Sequence, residues 1–158
     1  MKKFELTSEF VTFLGKTLFR IKALVSFGDV AEGELGGFIE RENNLDQSGN
    51  AWVSGDAKVF GNAKVCGNAW VSGDAWVSGD ARVQNCRDYS ATSCFGSENR
   101  TTTFFRTKDG GISVRCGCFY GTLREFREKV KERHGDSRLA KEYLMLADLM
   151  EFRLSKDE

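Results

Sequence analysis

One imidazole, His134, occurs in 158 residues. It falls at the end of a predicted helix, and a general base must come within hydrogen-bond reach of the proton it removes. The repeats described below offer no such group. His134 therefore reads as a helix-end residue beside the last carbonyls, and no catalytic residue is assigned. Of the five cysteines, Cys86, Cys94, Cys116 and Cys118 could converge at a seam near the C-terminal third, where four thiolates would suit structural zinc. Their Cys-x-Cys and Cys-x7-Cys spacings match the usual Cys-x2-Cys pairs poorly. They are weak metal candidates, better read as small apolar side chains with Cys66 filling a surface position, and no cofactor is expected. Gly15-Lys16-Thr17 lacks the upstream glycine of a phosphate loop.

The elements that position these residues have no strong field to work with. Lys+Arg and Asp+Glu number 23 each, and the pI is about 6.6, so nothing draws the chain to nucleic acid or to an anionic membrane. No stretch approaches the roughly 20 apolar residues of a membrane span. The N-terminal MKKFELTSEF has no apolar run of leader length. An odd number of cysteines without a leader points to reduced thiols and a cytoplasmic protein.

From Gly49 to Gln84 the chain reads GNAWVS, GDAKVF, GNAKVC, GNAWVS, GDAWVS, GDARVQ without insertion. Self-similarity at a fixed short period predicts stacked units. Ala and Val two apart point to one side of a strand, and the residue between them to the other. Gly-Asn and Gly-Asp supply the corners. The interior so formed is small, because burying a Val contributes only about 1.5–3 kcal/mol against roughly 1–2 kcal/mol of backbone entropy per ordered residue. Flanking segments must therefore close it.

The A-x-V-x-G-[ND] pattern resembles the hexapeptide-repeat family, which implies a left-handed parallel β-helix with three hexapeptides, eighteen residues, per coil. The expected fold is mainly β: a β-rich N-terminal cap (1–35), a short left-handed β-helix (36–100, regular over 49–84), and a small α+β unit of hairpin and two helices (101–158). In this frame Leu45 takes an Ala position. Past Gln84 the frame is expected to continue through Asn85–Ser90 and Ala91–Gly96, with Tyr89 and Phe95 at Val positions. Residues eighteen apart would stack into ladders: Trp52 under Trp70; Glu40, Lys58 and Trp76; Asp46, Lys64 and Arg82, with Asp46 neutralising Lys64.

Around the repeat, residues 2–27 read as strands turning at Gly15-Lys16. TTTFFRT and ISVRCGCF form a hairpin about residues 108–111. Thr122 and Glu125 form a capping box for a helix ended by Gly135. A second helix, about Ser137 to Leu154, places Leu139, Tyr143, Leu146, Ala147 and Met150 on one face.

Leu18-Phe19-Arg20-Ile21-Lys22-Ala23-Leu24, Gly33-Glu34-Leu35-Gly36-Gly37-Phe38-Ile39-Glu40 and Asn44-Leu45 leading into the repeats, with Cys116-Gly117-Cys118-Phe119-Tyr120-Gly121-Thr122-Leu123 and His134-Gly135-Asp136, resemble uncharacterised bacterial and prophage hexapeptide-repeat proteins sometimes labelled transferases. The resemblance implies two functions. One is an acyltransferase relative, which His134 and the missing acceptor loop disfavour. The other is a phage-encoded inhibitor of a bacterial defence enzyme, a specific form of the favoured reading, a non-catalytic, oligomeric (dimeric or trimeric) binding protein with a protein partner. A small-molecule binder sequestering a nucleotide or sugar is the third alternative. The interface candidates are Trp52, Trp70, Trp76, Lys58, Lys64 and Arg82, since large apolar residues concentrate at contacts. The tryptophans are open to three covers: the chain's own flanks, a second subunit, or a foreign partner.

Overall fold

The computed structural model describes residues 2–95, 100–117 and 119–155. Every sixth residue from Gly49 to Gly79 is a glycine with φ between 61° and 71°, a backbone region that other residues adopt only at a cost. These corners cut the hexapeptides into strands of two residues each.

The N-terminal flank is a hairpin, β1 (Phe4–Phe13) antiparallel to β2 (Lys16–Ala23), followed by β3 (Leu35–Ile39) antiparallel to β2. The hexapeptides supply β4 (Trp52–Val53), β5 (Lys58–Val59), β6 (Lys64–Val65), β7 (Trp70–Val71), β8 (Trp76–Val77) and β9 (Arg82–Val83). Parallel pairing joins β4 to β7, β5 to β8 and β6 to β9. Strand β3 adds to β5 in parallel, giving a mixed sheet of order β1-β2-β3-β5-β8. The repeated Ala and Val side chains are all buried, in one cluster with Phe4, Ile21, Ile39, Leu45, Trp52 and Phe105. Two adjacent glycines let β3 close on this core: a Cβ on Gly36 would stand 2.5 Å from the Val53 carbonyl oxygen and 2.7 Å from the Trp52 ring.

Beyond the repeat, β10 (Tyr89–Phe95), β11 (Arg100–Arg106), β12 (Ile112–Cys116) and β13 (Phe119–Thr122) form an antiparallel sheet. Helices α1 (Leu123–His134) and α2 (Arg138–Leu154) pack on it. Thr122 and Glu125 exchange capping bonds at α1, Gly135 ends it, and Ser137 caps α2. Phe104 and Val114 of the sheet meet Phe126, Val130, Tyr143 and Met150 of the helices in a second apolar cluster. The two cores are tied together. Phe105 inserts into the first, and the buried Asp88 accepts the Gln84 and Asn85 N–H groups while lying 3.2 Å from the Arg106 guanidinium.

This architecture corrects the expected fold class. The chain is not a mainly β protein organised on a regular left-handed parallel β-helix; it is a mixed structure of several small sheets, mostly antiparallel or mixed in direction, with two helices. The physical reason lies in the corners. Glycine at every sixth position leaves each hexapeptide only two ladder residues, whereas the flanks carry strands of up to ten residues, so most strand pairing falls outside the repeat. The frame also fails to extend in either direction. On the C-terminal side Tyr89 enters β10, antiparallel to β11, while Gly96 lies outside the described residues. On the N-terminal side the spacing slips by two. Phe38 pairs with Lys58 and Leu45 bridges Val65, twenty residues on, against eighteen for Trp52 and Trp70. The extra residues are taken up in the corner between Leu45 and Trp52. Phe38, not Glu40, therefore stands beside Lys58, and Asn44, not Asp46, falls in line with Lys64.

Candidate interaction surfaces

The three tryptophans project from β4, β7 and β8, between the inward Ala and Val of their hexapeptides. Trp52 and Trp70 are register partners. Trp52 has no exposed area; Phe27 meets its ring edge-on at 5.4 Å, and its Nε1 is buried without an acceptor. Trp70 is half-buried, donating from Nε1 to Ser54 Oγ at 2.9 Å, and its carbonyl accepts the Tyr89 hydroxyl at 2.8 Å. Trp76 takes the Phe13 edge at 4.5 Å, and its N–H donates to Thr103 Oγ1 at 3.0 Å. The N-terminal hairpin and the loop after it thus lie against Trp76 and Trp52, Tyr89 of β10 bonds the Trp70 backbone, and Trp52 presents no surface to any partner of this chain. Lys58, the register partner of Trp76, has its ammonium over the Phe13 and Phe38 rings.

Lys64 and Arg82 are also register partners. Both line a cavity of about 340 Å³ with Arg41, Asn43, Asn44 and Asn62. Asp46 does not close this cavity. Its Oδ1 accepts the Ser48 N–H at 3.1 Å, and that bond, with a smaller contribution from the positive charge of Lys64, holds its carboxyl below the ordinary value of 3.8.

A second cavity, of about 630 Å³, lies between the end of the repeat, the β11–β12 turn and the start of α1, lined in part by Asp80, Asp109, Tyr120, Arg124, Glu125 and Glu151. Most of its carboxylates are already bonded within the chain. Asp109 accepts from Thr107 and Gly111, Glu125 closes the α1 cap, and Glu151 accepts from Arg127. His134 is elsewhere, half-buried in the last turn of α1, its ring stacked on Tyr143 at 5.6 Å and 22°. Of the thiols, Cys86 is exposed, Cys116 accepts a bond from Thr102 Oγ1 at 3.2 Å, and Cys66 is half-buried, its pKa raised by burial above 9.0. Cys118 and the side chain of Cys94 lie outside the described residues. Among those described, no three His, Cys, Asp or Glu groups converge to hold a metal.

Sequence reasoning admits the C-terminal helices as a docking surface but singles out none of the outward residues of α2. Its inner face carries Ala140, Tyr143, Leu146, Ala147, Met150 and Leu154. On the outer face Met145 is 71%, Leu149 56% and Phe152 84% exposed. The signal was present: an apolar set at i, i+4 and i+7 beside the inward stripe, one residue removed from Leu146 and Met150.

No family model matches this chain, and no curated protein is significantly similar to it. Among the described residues, no helix is long and apolar enough to cross a membrane.

Proposed function

We propose that this is a non-catalytic binding protein that docks on another protein through the outer face of α2. The observation that carries the reading is the Met145, Leu149 and Phe152 ridge. It matches the spacing with which a helix fills an apolar groove, and it stands free while Trp52 is enclosed and Trp70 and Trp76 are half-buried. Burial of each such side chain contributes roughly 1.5–3 kcal/mol, enough for three to form the centre of an interface.

The rim favours a protein over a membrane or nucleic acid. Arg138, Lys141 and Arg153 are matched along α2 by Glu142, Asp148 and Glu151, and Asp148 and Glu151 are held by Arg127 at 2.8 Å each. A helix lying on lipid carries a polar face rich in Lys and Arg. The free thiols of Cys66, Cys86 and Cys116 support the cytoplasm as the place of action. The sequence resemblance to prophage proteins makes a bacterial defence enzyme the first partner to try.

Leu149→Glu with Phe152→Ala is the test. The variant should keep its circular dichroism and melting temperature, because both side chains lie outside the cores, and should lose partner binding by at least about thirtyfold, the equivalent of 2 kcal/mol. Binding at wild-type affinity would overturn the reading. A fall in molecular mass by light scattering would show that the ridge's occupant is a second copy of the chain.

A further inference from the structure

The two-residue slip before Trp52 has a consequence for charge. With Asn44 rather than Asp46 in line with Lys64 and Arg82, the outward row holds two cations on adjacent strands and no carboxylate. Paired strands lie about 4.7–4.9 Å apart, and like charges directly opposite one another destabilise a ladder. Among the described residues neither the Lys64 ammonium nor the Arg82 guanidinium makes a hydrogen bond or ion pair. Asp46 bonds the Ser48 N–H instead and feels Lys64 only through a weaker charge–charge attraction. Arg41 adds a third cation to the same cavity of about 340 Å³; it donates to the Gly61 carbonyl at 3.1 Å and lies 3.8 Å from Glu40. These three cations come from separate segments, in a chain whose Lys+Arg and Asp+Glu number 23 each.

We infer that this cavity binds a phosphate monoester. Arg82 and Lys64 take the phosphoryl oxygens, and Arg41 closes the rim. A dianion compensates both ladder cations, where a carboxylate would leave one of them bare. The planar donor fork of arginine suits phosphate geometry, and the volume, near the lower end of small-ligand sites, leaves room for a small polar body beside the amides of Asn43 and Asn62. The site is separate from α2 and stands or falls independently of the docking ridge.

The full chain is titrated calorimetrically with inorganic phosphate, ribose 5-phosphate, ribose and chloride at matched ionic strength. Saturable binding of both phosphates and none of ribose or chloride is expected. Ribose 5-phosphate should bind more tightly if the cavity takes the attached body, and equal affinities would assign it to free phosphate. Arg82→Gln and Lys64→Gln should each weaken binding about tenfold or more, while Lys58→Gln, on the neighbouring face, should not. Circular dichroism checks each fold, and Arg41→Gln, at an exposed side chain, serves if a ladder variant unfolds. No response, an equal response to chloride, or variants that titrate like wild type would overturn the site and leave an adventitious ion only.

Discussion

Trp52→Ala distinguishes two uses of one indole. As an interface residue Trp52 could be truncated without harm to the fold; as the structure has it, the ring is fully enclosed and pressed between Phe27 and the backbone of β3. Gly36 has no side chain to move into the space. Trp→Ala in a core costs about 3–5 kcal/mol. The lower part of that range is expected, because the Nε1 lost with the ring is a buried donor without an acceptor, whose retention costs about 1–3 kcal/mol. A loss of about 3 kcal/mol is large beside the roughly 5–15 kcal/mol that holds a domain folded. At about 2–4 °C per kcal/mol, it lowers the melting midpoint by roughly 6–12 °C. Trp52→Phe, which keeps most of the ring and removes the orphan donor, should stay within about 1 kcal/mol of wild type. Urea unfolding followed by far-ultraviolet circular dichroism measures the loss, with light scattering in parallel. Wild-type stability for Trp52→Ala, accompanied by a drop in mass, would refute the enclosure and return the indole to a contact between chains.

Gly67→Ala and Gly73→Ala should differ, although both residues have φ near +65°. Each pays about 1–2 kcal/mol for the backbone region, but a Cβ on Gly67 would stand 2.5 Å from the Gln84 carbonyl oxygen while Gly73 faces open space, so urea midpoints should fall further for Gly67→Ala. Asp88→Ala takes the carboxylate from Arg106, which keeps only the Leu154 and Ser155 carbonyls, and strands two N–H groups, and unfolding should be easier by about 3 kcal/mol. Asp46 has its folded pKa below 3.8 because the Ser48 N–H bonds its carboxylate. As pH falls through the window beneath 3.8, the unfolded chain takes up a proton that the folded chain refuses, so stability present above 3.8 is lost there; Asp46→Asn should flatten this part of the acid limb in a series of pH-dependent melts.

The corner every six residues was legible in the sequence because its cause is local, a glycine that turns each step, whereas the pairing of Trp52 with Trp70, Lys58 with Trp76 and Lys64 with Arg82 was expected only from the resemblance to hexapeptide-repeat proteins. The capping of α1 by Thr122 and Glu125 and its end at Gly135 were legible for the same local reason. The weight of the architecture was misread. A strict repeat stands out in the sequence far more than in the structure, where hexapeptides of two ladder residues lie between antiparallel sheets with longer strands. The slip between Leu45 and Trp52 left no mark either. Ser48-Gly49-Asn50 keeps the corner signature of the repeat, and only the pairing of Leu45 with Val65 shows that two extra residues precede it.

What covers a surface is the least local property of all, and it redirects the functional reading. Nothing adjacent to Trp52 or Trp76 in the chain says that Phe27 and Phe13 meet their rings, since those residues arrive from the loop after the N-terminal hairpin and from the hairpin itself. An outward tryptophan in a strand is compatible with a hot spot and with a second layer of core, and only the fold of the flanks decides between them. The α2 ridge presents the opposite case. Its inward stripe already accounts for the helix, so Met145, Leu149 and Phe152 are surplus to what packing against α1 and the sheet requires. An apolar set left over after the core is complete, on a helix capped at its start and held at its side by Arg127, is already in place before any partner arrives. That preorganisation lowers the ordering cost of association, which is why the docking reading rests on α2 and not on the tryptophans.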